Sequence, residues 1–221
     1  MFDEISPKYD FLNHFLSFGI DHLWRRRLVS MLGDRRPASI LDVATGTGDL
    51  AIAMAALKPQ KIVGIDISGK MLEAGRKKVT ERMLESMITL RKADAERIPF
   101  SDNSFHAITV AFGVRNFENL RLGLSEMKRV LRPGGSMMIL EFSHPETFPM
   151  KQLYGIYSRY FIPALGSTLS RNKEAYRYLP DSVAAFPSGP DFIRILHEVG
   201  LKNTSFRSLS LGIATIYVAE K

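Results

Sequence analysis

The sequence contains no cysteine and a single tryptophan, Trp24. Without cysteine there is no disulfide framework, no thiolate nucleophile and no cysteine-based metal site, and no other residue pattern asks for a metal. No apolar run approaches the ~18 residues of a membrane span. The first residues, with Asp3 and Glu4 beside Met1, lack the basic-then-apolar order of a signal peptide. Internal repeats and low-complexity tracts are also missing. The lack of cysteine fits a reducing compartment, and with no span or signal-peptide pattern the expected location is the cytoplasm. At 221 residues, the chain is expected to form one domain over 1–221, long enough to bury a real core. Acidic residues are the minority charge, and the net charge is +7. A basic surface suits nucleic acid or an anionic membrane face, and a solvated surface with no partner explains it as simply.

What is present centres on one stretch, Ser39-Ile-Leu-Asp-Val-Ala-Thr-Gly-Thr-Gly-Asp-Leu-Ala51. Ile40, Leu41 and Val43 form a short apolar run, as in a strand covered on both faces. Gly46 and Gly48 let the backbone turn sharply and approach a ligand closely. Leu50, Met54 and Leu57 then recur at helical spacing. Strand, glycine turn and helix N-terminus together make a site for a polar, above all anionic, ligand. A plain strand–helix turn accounts for the same residues, so the spacing of the later acidic residues decides between the two.

Residues 1–33 read as amphipathic helices forming a lid, broken at Gly19, with Phe11, Leu12, Phe15 and Leu16 and then Trp24, Leu28, Met31 and Leu32 on one face. Trp24 precedes Arg25, Arg26 and Arg27. That run fits a membrane-surface helix or, more simply, a helix packed on the sheet with a solvated basic face. Strands are expected at 61–66, 88–92, 105–112 and 137–142, alternating with helices at 70–82 and 120–131. The second helix stops at Arg132-Pro133-Gly134-Gly135. From His144 to Pro190 the chain is rich in aromatic residues and proline, too long for an idle loop, and reads as a helical cap insertion over 144–190. A last helix (191–199) and two antiparallel strands (202–208 and 213–220) close the chain. The fold class is α/β: a Rossmann-like, doubly wound, mostly parallel seven-stranded sheet with an antiparallel C-terminal strand.

In such sheets ligands bind outside the carboxyl ends of the strands. Asp66 closes the second strand, about 20 residues past the first glycine, where a carboxylate accepts from ribose hydroxyls. Asp94 closes the third, where it could accept from an adenine amino group with the N–H of Ala95 on a ring nitrogen. Asp42, inside the first strand, must be hydrogen-bonded to persist, and the loop N–H groups are the expected donors. Each alone reads equally as a turn residue; together they describe an adenosine crevice. The sole Tyr-x-x-x-Lys match, Tyr217 to Lys221, lies in the terminal strand, which argues against a nicotinamide dehydrogenase.

Leu41-Asp42-Val43-Ala44-Thr45-Gly46-Thr47-Gly48-Asp49 resembles the first motif of class I S-adenosyl-L-methionine-dependent methyltransferases. Asp66, Asp94 and Leu131-Arg132-Pro133-Gly134-Gly135 resemble the later ones. More narrowly, the chain resembles the ubiquinone/menaquinone biosynthesis C-methyltransferases. The likeness is carried by Tyr9-Asp10, Leu12-Asn13, Phe112-Gly113-Val114-Arg115-Asn116, Glu141-Phe142-Ser143 and Ala175-Tyr176-Arg177-Tyr178-Leu179, and covers nearly the whole chain. Ala111 stands where some relatives have serine, and His144 where others have lysine.

The resemblance implies that Gly46, Thr47 and Gly48 pass the methionine portion of S-adenosyl-L-methionine, Asp66 its ribose, and Asp94 with Ala95 its adenine. The implied reaction is C-methylation of a prenylated hydroquinone, in first place demethylmenaquinol to menaquinol. The alternatives are a 2-polyprenyl-benzoquinol of ubiquinone biosynthesis or an RNA substrate. The ring carbon is nucleophilic when a hydroxyl of pKa roughly 10 is deprotonated, so a positive charge near the oxygen helps. Arg115 is the candidate for that charge, Asn116 for orienting the same oxygen, and Tyr154, Tyr176 and Tyr178 for the ring pocket. The expected partners are the polyprenyl substrate and, through the Trp24–Arg27 region, the inner membrane face. No nucleic acid is expected, and a homo-oligomer is compatible. A small-molecule O- or N-methyltransferase and a non-catalytic cofactor sensor are the remaining rivals.

Overall fold

A computed structural model describes residues 19–145, 148, 151, 152, 155 and 181–221. Helix α1 spans Asp21–Gly33 and comes after a turn at Gly19. The first strand, β1 (Ser39–Val43), is buried at every position and runs through the glycine turn into α2 (Asp49–Met54). That helix is short: Leu57, expected on it, lies in a 3-10 turn at Ala55–Leu57. Next come strand β2 (Lys61–Asp66), helix α3 (Gly69–Glu81), β3 (Ile88–Lys92) and β4 (Phe105–Ala111). The chain then enters α4 (Leu120–Val130), β5 (Leu131–Phe142), α5 (Pro190–Glu198), β6 (Lys202–Leu209) and β7 (Ala214–Glu220).

The seven strands form one sheet in the order β3-β2-β1-β4-β5-β7-β6. β1 pairs in parallel with both β2 and β4, while β7 runs antiparallel to β5 and β6. The chain therefore reverses its winding between β1 and β4, and a crevice opens at their carboxyl ends. Alternation along the strands feeds two apolar layers. Ile40, Met138, Leu140, Ile216 and Val218 pack towards α1, α2 and α3, against Trp24, Leu28, Leu32, Leu50 and Leu72. Leu41, Val43, Met137, Ile139 and Tyr217 pack towards α4 and α5, against Leu124, Met127, Phe192 and Leu196.

Three expectations change. The Arg132-Pro133-Gly134-Gly135 segment does more than stop α4: it lies inside β5 as a bulge. The register jumps from Phe105↔Leu131 to Ala107↔Ser136, and the end of the chain covers the bulge, with Gly134 N–H donating to Lys221 O at 3.1 Å. Extended pairing thus resumes directly from the helix end.

Trp24 is not a membrane anchor. It is 4% exposed, its ring sits 6.1 Å from Phe112 and 6.0 Å from Phe142, and its Nε1 donates to Ser210 Oγ at 2.8 Å. The indole N–H thus finds a protein partner and the ring fills the core. Of the basic run, Arg26 and Arg27 are exposed and Arg25 is buried. Phe186, placed in the cap by its position, belongs to the second apolar layer, 5.0 Å from Phe192. Tyr154, Tyr176 and Tyr178, most of the cap and the first helix of the lid lie outside the described residues.

Candidate active site

A cavity of about 310 Å³ opens where the carboxyl ends of β1, β2 and β4 meet, within the size range of small-molecule sites. Its walls come from the turn after β1 (Ala44, Thr45, Gly46), the end of β2 (Asp66, Ile67, Ser68), the segment after β3 (Ala93 to Glu96) and the segment after β4.

The glycine turn is held from below. Asp66 Oδ2 accepts the N–H of Gly46 at 2.8 Å, and its Oδ1 accepts the N–H of Ser68 at 2.8 Å. One carboxylate therefore ties the first turn to the second. The loop N–H expected on Asp42 is taken by Asp66 instead. Asp42 accepts from two threonine hydroxyls, Thr45 Oγ1 at 2.6 Å and Thr109 Oγ1 at 2.7 Å. Asp94 is exposed and accepts the N–H of Glu96 at 2.9 Å, with Ala95 beside it in the wall.

Among the glycine-turn residues only part of the expectation reaches the cavity. Gly46 lines it; Thr47 and Gly48 do not. The Thr47 hydroxyl accepts from Lys78 Nζ at 2.7 Å, and the same ammonium reaches Asp49 Oδ1 at 2.7 Å. Lys78 of α3 thereby pins both ends of the turn, a contact that no local spacing in the sequence announces.

Burial pushes the Asp42 carboxyl up to about 6, against the Thr109 and Thr45 hydroxyls and the charge of Arg25, which pull it down. A cation bound above it favours its ionised form. Affinity for a cationic ligand is therefore expected to hold above pH ~6 and to weaken as pH falls through that value. Calorimetric titrations at pH 5.5 and 7.5 measure this, and Asp42→Asn should remove the difference. Stability runs the other way. The folded pKa lies above the ordinary 3.8, so the contribution of Asp42 to stability declines between about pH 4 and pH 6.

The segment after β4 is built by its sequence. Ala44 and Phe112, at the ends of adjacent strands, both adopt left-handed backbone, with φ 52° and φ 60°. For a bulky residue such a conformation costs on the order of 1–3 kcal/mol and persists only when its surroundings enforce it. Here the N–H of Phe112 donates to Leu140 O at 2.8 Å, and its carbonyl accepts from Arg115 Nη1 at 2.8 Å. Gly113 is required by the same crowding, since a Cβ there would stand 2.5 Å from the Ala44 Cβ. Gly113→Ala is expected to force the two turns apart, lowering the melting temperature and weakening cofactor binding. Thermal melts with and without cofactor test this.

Arg115 is not in the cavity wall. Its side chain is fully buried in an ion pair with Glu141, also fully buried, and its guanidinium lies 5.3 Å from the Phe142 ring. Burial pushes the Glu141 carboxyl up, and Arg115 and the Phe142 N–H pull it back. The expected contact with a substrate oxygen gives way to a buttress that fixes the turn from Phe112 to Asn116. Asn116, the other residue expected to act on the substrate, does line the cavity. So does Arg25, which its neighbours in the chain place in a surface run. Asp21 stands four residues before it, and the two pair in α1.

The charge of the lining is opposite to that of the protein. Asp42, Asp49, Asp66, Asp94, Glu96 and Glu118 contribute carboxylates and Arg25 the one cation among the described lining residues, in a chain of net charge +7. Such a lining fits a positively charged ligand.

Comparison with known proteins agrees with this geometry. Residues 1–221 match the ubiE/COQ5 methyltransferase family. The chain belongs to that family. Two relatives illustrate how close the match is. A demethylmenaquinone methyltransferase of Bacteroides fragilis is 50% identical, over 100% of this chain and 91% of its own. A protein of Geotalea daltonii named ubiquinone/menaquinone biosynthesis C-methyltransferase UbiE is 49% identical, over 100% of this chain and 94% of its own. Among solved structures, a SAM-dependent methyltransferase of Thermotoga maritima superimposes with a TM-score of 0.67 at 18% identity, covering 100% of this chain and 98% of that one. A phosphoethanolamine N-methyltransferase of Haemonchus contortus does so at 0.62 and 15%, covering 83% and 48%. At those identities the structures share the fold. As a member of the ubiE/COQ5 family the chain is an S-adenosyl-L-methionine-dependent methyltransferase, and the carboxylate-lined cavity fits that cationic cofactor.

Proposed function

We propose that this enzyme methylates a ring carbon of a prenylated hydroquinone, converting demethylmenaquinol to menaquinol. The observation that carries the reading is the end-to-end likeness to relatives bearing that name, joined to a cavity whose charge suits a sulfonium. In this reading Asp66 takes the ribose hydroxyls, Asp94 and the Ala95 N–H take the adenine, and the turn containing Gly46, Thr47 and Gly48 passes the methionine portion. When bound, the cofactor supplies an electrophilic methyl on a positively charged sulfur. The residues around it orient the acceptor, and holding two reacting atoms in line is worth up to ~7–11 kcal/mol in favourable cases. Asn116 at the end of the buttressed turn holds the hydroquinone oxygen, Arg115 acts through that turn, and Tyr154, Tyr176 and Tyr178 form the ring pocket. Methyl-labelled cofactor offered with reduced demethylmenaquinol, reduced demethyl-benzoquinol or bulk RNA tests the substrate class. Label should appear in the demethylmenaquinol extract, and label only in RNA would overturn the assignment.

Such a substrate resides in a bilayer. Among the described residues no helix is long and apolar enough to cross a membrane, so the reading calls for peripheral contact from the cytoplasmic side. With Trp24 buried, that contact falls to the outer face of α1, where Leu23 is 59% exposed and Arg26 and Arg27 are exposed one turn on. Flotation should recover more protein with anionic than with neutral vesicles, and Arg26→Glu/Arg27→Glu should erase the difference.

A further inference from the structure

The cavity holds six carboxylates and one guanidinium among its described lining residues, and the guanidinium is delivered by α1. Trp24 seats α1 on the sheet through Phe112, Phe142 and Ser210. The next residue, Arg25, then turns to the cavity. Its side chain is 11% exposed and is held one helical turn back by Asp21, itself 1% exposed. Its guanidinium lies 5.4 Å from the ring of Phe112, and it is close enough to Asp42 to depress that carboxyl. A guanidinium offers five donors, and Nη1 serves Asp21.

Asp21 holds Arg25 from behind, and Arg25 is the one cation that the described lining presents to a ligand, so it draws whatever anion a ligand brings. S-adenosyl-L-methionine brings one: the α-carboxylate of its methionine end, beside an ammonium and a sulfonium. We infer that Arg25 binds this α-carboxylate, the single anion of the cofactor. The inference rests on the cofactor assignment. Asp21 is the positioning residue for Arg25, and Phe112, held left-handed by Arg115, forms the floor on which the guanidinium lies. Helix α1 is thereby part of the cofactor site and reads the amino-acid end of the ligand.

Calorimetry with two stable ligands separates this role from simple packing. S-adenosylhomocysteine carries the α-carboxylate, and 5′-methylthioadenosine lacks the whole amino-acid end. Losing a charge-assisted pair should weaken S-adenosylhomocysteine in Arg25→Gln by about ten- to a hundredfold, with 5′-methylthioadenosine unchanged. Arg25→Lys, which keeps the charge without the planar fork, should fall between. Equal losses for both ligands, or no loss for either, in variants with the wild-type melting profile would overturn the inference. A wild-type protein that bound neither ligand would instead remove the cofactor assignment beneath it.

Discussion

Arg115→Ala is expected to destabilise the fold by about 3–5 kcal/mol, because it leaves the Glu141 carboxylate buried without its cation. Both side chains are fully buried, so water cannot replace the lost partner. The same change frees the carbonyl of Phe112, which accepts from Arg115, and with it the left-handed turn that presents Asn116. Turnover should therefore fall together with stability. A urea titration reads the effect as a lowered midpoint at unchanged slope. Adding Glu141→Leu to Arg115→Met should restore much of the loss, since replacing both ions with apolar groups removes the stranded charge. The pH dependence has a definite sign. Burial already raises the Glu141 carboxyl and Arg115 opposes it. Without Arg115 the folded state holds that proton more tightly, so the variant loses stability as pH rises and is least impaired in acid. A variant with an unchanged midpoint would mean that the pair is ornamental.

Asp66→Ala should weaken cofactor binding by a hundredfold or so, the second large effect. Two backbone N–H groups, from Gly46 and Ser68, would lose their acceptor at once, each at a cost on the order of 1–3 kcal/mol where water cannot reach. In the proposed site the ribose hydroxyls would lose theirs as well. Asp66→Asn keeps one carbonyl oxygen and should fall between. A folded Asp66→Ala protein with wild-type affinity by calorimetry would show that the ribose lies elsewhere.

The sheet was legible because its signals are local. Ile40-Leu41-Asp42-Val43 and Lys61-Ile-Val-Gly-Ile-Asp66 announce buried strands by their own composition, and the strand–helix alternation then dictates a parallel sheet. Asp66, Asp94, Ala95, Gly46 and Asn116 could be placed at the crevice because their addresses are strand ends. What stayed hidden depends on contacts between distant segments. Arg115 sits at a strand end like the others, and only Glu141, 26 residues away, turns its side chain inward. Arg25 looked like surface because it stands in a basic run, and it is the packing of Trp24 on Phe112 and Phe142 that rotates it into the cavity. Thr109, which holds Asp42, gives no sign in a strand where β-branched residues are common. The Arg132-Pro133-Gly134-Gly135 bulge was readable as a helix stop, while its pairing with Lys221 was not.

In the proposed function the carboxylate-lined cavity between β1 and β4 serves methyl transfer to a ring carbon of a hydroquinone. The most direct measurement uses S-adenosyl-L-methionine carrying a ¹³C methyl group, reduced demethylmenaquinol and the purified enzyme, with the extracted product examined by carbon NMR. A labelled methyl bonded to aromatic carbon is expected, formed from the hydroquinone and not from the oxidised quinone. A labelled methoxy signal, or transfer that ignores the oxidation state of the ring, would contradict it.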